Sequence, residues 1–304
     1  MSTANANTDK DLVVGLGATG LSIARYLKRN DAKAIFFDSR KEPPGLDDLQ
    51  DVYPDAELRL GNDNLPKGVS RVISTPGVPD SHPLLEKARK KKLDVISDIE
   101  LFARAAEKPF VAVTGSNGKS TVTTLLYYMC KADGREVLAG GNLGEPALDL
   151  LEKDAPDIYV LELSSFQLQR THNLPAEVAL LLNVSPDHLD WHADESEYRA
   201  AKYRIFNDVD AAVINRGDAE SAEKAKHCSR VVSFGLDAPE EGQYGIREED
   251  GEKYLAYGDV LLLSVKDLAL YGLHNQLNAL AALAAGELIG LDPVSYTHLR
   301  AHET

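Results

Sequence analysis

Cysteine is nearly missing from this chain of 304 residues: only Cys130 and Cys228 occur, far apart and without CxxC or Cys/His spacing. Neither a disulfide framework nor a zinc site is indicated, and a reducing compartment such as the cytoplasm is expected. Positive charge is also short. The chain carries 33 Lys and Arg against 48 Asp and Glu, a formal net charge of −15, which excludes a nucleic-acid binder relying on a broad basic surface. Any anionic ligand must therefore be held by local groups. No stretch is apolar for long enough to span a bilayer, and the start MSTANANTDKD has no basic segment followed by an apolar one, so neither membrane insertion nor export is expected. No internal repeat of fixed period is present.

What is there alternates between strand and helix. DLVVGLGATGLSIARYLKRN reads as a buried strand, a glycine turn and an amphipathic helix, and AKAIFFDSR supplies a second strand, a βαβ opening. RVISTPGVP adds a strand ended by a Pro/Gly turn, and HPLLEKARKKKLDVIS a helix and a strand. Beyond AAEKPF, the apolar runs FVAVTG, IYVLELSS, VALLLNVS, AAVINRG and RVVSFG predict a parallel sheet covered on both faces. The Asp-Gly turn in YGIREEDGEKYLAYGDVLLLSV predicts a β-hairpin, and LHNQLNALAALAAGELIGL a closing helix. The expectation is an α/β chain of two domains, 11–108 Rossmann-like and 109–294 of the P-loop type with a mostly parallel sheet. Residues 1–10 are expected to be a flexible polar tail, and 295–304 a tail outside the second domain.

The chemistry concentrates in TGSNGKST. Gly115 and Gly118 permit a tight turn, Ser116 and Asn117 lie within it, Lys119 can reach a phosphate, and Ser120 or Thr121 can ligate Mg²⁺. The common G-x-x-x-x-G-K-[ST] spacing would need glycine at Val113, so the cradle is shorter; a plain helix start with Gly and Ser caps is the bland alternative. Glu162 in LELSSFQL falls at the end of the next strand, on the same sheet edge, where a metal ligand or an ordinary capping residue would sit. NVSPDHLDWH brings Asp187, His188, Asp190 and His192 to a third strand end, with His188 the candidate contact for metal or phosphate. In the first domain GLGATG with Asp38 about 20 residues on satisfies the dinucleotide fingerprint, which keeps an NAD-dependent oxidoreductase in view.

TGSNGKST, LELSSFQL, NVSPDHLD, YRAAKYRIF and GLHNQLNALAAL, in this order, resemble the Mur ligase family, which adds amino acids to the peptidoglycan precursor. VVGLGATG, FFDSRKEPPGLD and SDIELF are most similar to the members that join D-glutamate to UDP-N-acetylmuramoyl-L-alanine. The resemblance implies a cytoplasmic, monomeric, ATP-dependent ligase acting through an acyl phosphate, with two Mg²⁺ ions. It implies Ala18, Thr19, Asp38, Arg40 and Gly77 near the UDP moiety, Asn142 and His188 near the muramoyl group, and Asn275 and Asn278 near the adenosine, with His274 beside them. Asn142 is equally explained by an ordinary turn. Metal contacts fall to Ser120, Glu162, His188 and Lys202, the last as a carbamate; read by itself, Lys202 is a helical lysine of the kind ordinarily exposed. The family continues for about another third of its length, as a domain that closes over ATP. On this reading the 304 residues bind substrate and ATP without ligating.

Overall fold

The computed structural model describes residues 10–187, 191–192, 194–268 and 271–292. The first sheet is all parallel, in the order β3-β2-β1-β4-β5, from β1 (Lys10–Val14), β2 (Ala34–Asp38), β3 (Glu57–Leu60), β4 (Val69–Ser74) and β5 (Asp94–Ile96). Lys10, assigned above to the tail, is already the first residue of β1 and forms an ion pair with Glu57 at 2.6 Å. The edge strand β3 went unnoticed in the sequence because ELRL is only half buried and carries little apolar weight.

Nine strands make the second sheet: β6 (Phe110–Thr114), β7 (Val137–Gly141), β8 (Ile158–Glu162), β9 (Val178–Leu181), β10 (Ala211–Asn215), β11 (Arg230–Phe234), β12 (Gln243–Glu249), β13 (Glu252–Tyr257) and β14 (Val260–Ser264). Their order is β14-β13-β12-β11-β10-β9-β6-β8-β7. The strands from β7 to β12 are parallel, and β12 to β14 form an antiparallel meander, one strand more than the expected hairpin. Its first turn has Asp250 and Gly251 both at positive φ, 53° and 76°, the backbone that lets two twisted strands meet over two residues.

In both sheets the chain winds outward first to one side and then to the other. That puts β1 beside β4, and β6 between β8 and β9, at the crevices where α/β sheets accept ligands beyond their carboxyl ends. Helix Leu273–Leu288, rich in Ala and Leu and free of β-branched residues, buries Leu280 and Leu283 against the second sheet, each contributing about 1.5–3 kcal/mol. Helix Asp98–Ala105, capped by Ser97 Oγ accepting from the Glu100 N–H at 3.0 Å, joins the two units. Its Phe102 packs edge-on against Phe110 and Tyr159 of the second sheet, while Asp98 accepts from Gln167 and Glu100 from the His172 and Asn173 N–H groups, so the junction combines aromatic packing with polar contacts.

Candidate functional site

The turn after β6 is held from three sides. The Ser116 N–H donates to Asn183 O, and its Oγ lies 2.8 Å from the Tyr198 hydroxyl and 3.0 Å from both the carbonyl and the N–H of Ser185. Asn117 and Asn183 exchange two bonds of 2.9 Å. Gly118 adopts φ 86°, and a Cβ there would sit 2.3 Å from Asn278 Oδ1, so both backbone and neighbour demand glycine. Helix Lys119–Ala132 starts directly after it with no acidic residue in its first turn, leaving its leading N–H groups aimed at the crevice, a ready anion site.

Register then sets the flanks: Val113 pairs with Glu162 and Thr114 with Leu181, so the ends of β8 and β9 emerge beside the turn. Glu162 is 2% exposed and spans two partners, accepting from Ser120 Oγ at 2.7 Å and from Asn142 Nδ2 at 2.8 Å. Asn142 is fixed in turn by its own N–H on Glu162 O at 2.8 Å. A carboxylate and a hydroxyl are hard oxygen donors, and one or two carboxylates plus substrate phosphates are how Mg²⁺ is usually bound; the residues present fit that ion.

Lys119 Nζ turns back onto the carbonyls of Gly115 (2.9 Å) and Ser116 (3.1 Å), and burial lowers its pKa against the opposing pull of Glu162 and Asp187. Lys202 is not the exposed lysine that its helix position suggests. It is 2% exposed, donates to the same Gly115 carbonyl at 2.8 Å and lies 4.9 Å from the centre of the Tyr198 ring, one helical turn before it. Burial first, and the Lys119 charge second, push its pKa down to about 7, with Asp187 and Glu162 pulling the other way. Two ammonium groups on one carbonyl are mutually unfavourable. A neutral or anionic Lys202 would relieve that conflict, and a substantially neutral amine near pH 7 is the form that reacts with CO₂.

Thr121, Asn275, Asn278 and His274 line one cavity of about 450 Å³ together with Gly118 and Phe234. His188 and Asp190 lie outside the described residues. His192 is buried, its Nε2 3.1 Å from Ser165 Oγ, its ring stacked on Phe166 and edge-on to Tyr198.

A second cavity, of about 380 Å³, opens at the ends of β1, β2 and β4, with Ala18, Thr19, Asp38, Arg40 and Gly77 in its wall. Gly15, at φ 100°, takes the Thr75 side chain against its face: a Cβ would lie 2.1 Å from Thr75 Oγ1. Asp38 is buried and bound by the Leu16 N–H at 2.9 Å and by Arg40 through its backbone and two guanidinium nitrogens, at 2.7–2.9 Å. Burial raises its pKa, but the Arg40 side chain and the two backbone donors outweigh that and hold it below the ordinary value. A ribose diol seeking Asp38, as the dinucleotide fingerprint would have it, competes with an arginine already seated there.

Four positions that matter to this geometry drew no notice in the sequence: Asn183, Ser185, Tyr198 and Arg170. All lie within the quoted motif stretches or beside them, but their importance is one of contact across the fold.

Known proteins give the same outline. The family description "Mur ligase MurD-like, N-terminal domain" matches residues 9–97, and "Mur ligase middle domain" matches 113–286. The UDP-N-acetylmuramoylalanine–D-glutamate ligase of Nitrosococcus oceani is 48% identical over 282 residues, covering 92% of this chain and 62% of its own length. The Legionella pneumophila (strain Paris) protein of the same name is 45% identical over 285 residues, covering 92% and 64%. Thus the chain spans less than two thirds of the length of these relatives. Among solved structures, a Neisseria UDP-N-acetylmuramate:L-alanyl-gamma-D-glutamyl-meso-diaminopimelate ligase superposes with a TM-score of 0.63 at 18% identity, covering 97% of this chain and 98% of that one. The Thermotoga maritima UDP-N-acetylmuramate-alanine ligase gives 0.57 at 21%, covering 96% and 68%. At these identities the two structures speak for the fold alone.

Proposed function

The chain belongs to the Mur ligase family, and from that premise we propose that it carries the substrate-binding and ATP-binding parts of a ligase adding D-glutamate to UDP-N-acetylmuramoyl-L-alanine in the cytoplasm. Residues 11–108 receive the UDP moiety and 109–294 receive ATP. The observation that carries the reading is the convergence of Lys119, Ser120, Glu162 and Lys202 on one phosphate-sized turn. The names of the relatives supply the choice of D-glutamate as the incoming amino acid.

A carboxylate is a poor electrophile, and phosphorylating it turns one oxygen into a good leaving group. On this reading the N–H groups of residues 115–120 and the Lys119 ammonium hold the γ-phosphate of ATP, which replaces the loop carbonyls that Lys119 now contacts. Ser120, Glu162, a carbamylated Lys202 and His188 would hold Mg²⁺, expected as two ions, which supplies charge neutralisation and alignment of the phosphate oxygens. Asn142, hydrogen-bonded to Glu162, would contact the muramoyl-alanine part of the substrate, and Asn275 and Asn278, in the wall of the cavity of about 450 Å³, would contact the adenosine. The amine of D-glutamate then attacks the acyl phosphate, and the tetrahedral intermediate collapses to amide and phosphate.

Incorporation of labelled D-glutamate by the product of the complete reading frame tests this. Lys119→Ala is expected to abolish it, by at least a hundredfold, because no other loop side chain neutralises the transferring group. Lys202→Ala is expected to lose activity that millimolar short-chain carboxylic acids partly restore. Near-normal turnover by the Lys119 variant would overturn the assignment.

A further inference from the structure

Arg170 lies at the end of the LELSSFQLQR stretch, in the second unit, yet every group its guanidinium meets belongs to the first. It is 2% exposed. Nη1 donates to Ser74 Oγ and to Thr75 O, both at 3.2 Å, Nη2 donates to Val78 O, and Nε donates to Asp80 Oδ1 at 2.8 Å. Asp80 is also held by Arg89, whose Nη1 reaches its carbonyl at 2.9 Å. The backbone of Arg170 is tied as well, its carbonyl accepting from the Ser97 N–H at 2.9 Å, while the neighbouring Thr171 and Ser97 hydroxyls meet at 2.8 Å.

Within the segment so gripped, residues 75–79 line the first-domain cavity beside the glycine turn, and the Thr75 side chain is what rests on Gly15. We propose that Arg170 is a positioning residue: reaching across from the second domain, it sets the shape of loop 74–80 and thereby the fit of the cavity to the diphosphate of a uridine-diphosphate ligand. This rests on the reading of that cavity given above. A buried guanidinium with its donors aimed at four acceptors is rigid, so the loop's Pro76-Gly77 tip is presented in one conformation rather than several. Removing it leaves the Val78 carbonyl without its donor and takes one donor each from Thr75 O, which keeps the Val78 N–H at 3.2 Å, and from Asp80, which keeps Arg89, so the loop loses its shared anchor and a shifted conformation is favoured. It also makes ligand affinity in the first domain depend on a residue that follows Glu162 by a single short helix, linking the two cavities mechanically.

Calorimetric titration of the 304-residue chain and of its Arg170→Ala and Arg170→Lys variants, with UDP and separately with a non-hydrolysable ATP analogue, tests this. The expected result is that Arg170→Ala weakens UDP at least tenfold and leaves the ATP analogue within about twofold. Arg170→Lys, with one donor group in place of a fork, falls between, and millimolar guanidinium restores UDP affinity to the alanine variant. Unchanged UDP affinity in the alanine variant, beside normal wild-type binding, would overturn the inference while leaving the cavity assignment standing. So would an equal loss of both ligands without guanidinium rescue, the mark of a merely structural residue. Failure of the wild-type chain to bind UDP would remove the cavity assignment and the inference with it.

Discussion

At the scale of single residues, Lys202 is where burial and charge conflict most directly. Its pKa falls from 10.5 to about 7 in the folded chain, mainly through burial. The sign follows from proton counting: between those two values the unfolded chain binds the proton and the folded chain does not, so this residue's contribution to stability rises with pH across that window. Below about pH 7 the folded state bears the full cost of a buried ammonium, on the order of a few kcal/mol. Lys202→Met keeps the length and removes the charge. In CO₂-free buffer it is expected to be more stable than the parent at pH 6, the margin shrinking steadily toward pH 10, as measured by urea unfolding. A margin independent of pH would show that the lysine is not neutralised by its surroundings. Nothing in the spacing of YRAAKYRIF says that this lysine points inward; the reason is the Gly115 carbonyl and the Tyr198 ring, brought to it from elsewhere in the fold and from the preceding helical turn.

Among the elements, the turn at residues 115–118 bears the most constraint. Gly118→Ala would put a methyl group 2.3 Å from Asn278 Oδ1 at a φ of 86°, so the helix Leu273–Leu288 or the turn must give way. We expect a loss of about 1–3 kcal/mol of stability and at least a tenfold weaker ATP analogue, by thermal unfolding and calorimetry. Wild-type values for both would mean that the turn is not the rigid cradle described. This element was legible in the sequence, because glycine, lysine and hydroxyl between a buried strand and a helix have few other physical uses. So were the buried strands of both sheets and the Asp-Gly turn, whose patterns are local. Edge strand β3 and the third strand of the meander were not, since half-exposed segments carry weak periodicity. Arg170 was missed for a different reason: the four acceptors of its guanidinium, at Ser74, Thr75, Val78 and Asp80, lie 90 to 96 residues away, and no local pattern encodes such a contact.

For the molecule as a whole, one parallel and one mostly parallel sheet each place a crevice at the carboxyl ends of their parallel strands, and a junction of aromatic packing and polar contacts, Arg170 among them, ties the crevices together. Among the described residues no helix is long and apolar enough to cross a membrane. The 304 residues span 62–64% of the relatives' length. The claim at the centre of this account is that the first crevice takes a uridine-diphosphate sugar where its glycine pattern alone would equally suggest a dinucleotide. Titrating the chain with UDP-N-acetylmuramoyl-L-alanine and with NAD in the same calorimeter decides it. Saturable binding of the muramoyl nucleotide with no heat from NAD is the predicted result. NAD binding that excludes the muramoyl nucleotide would contradict the account at its base.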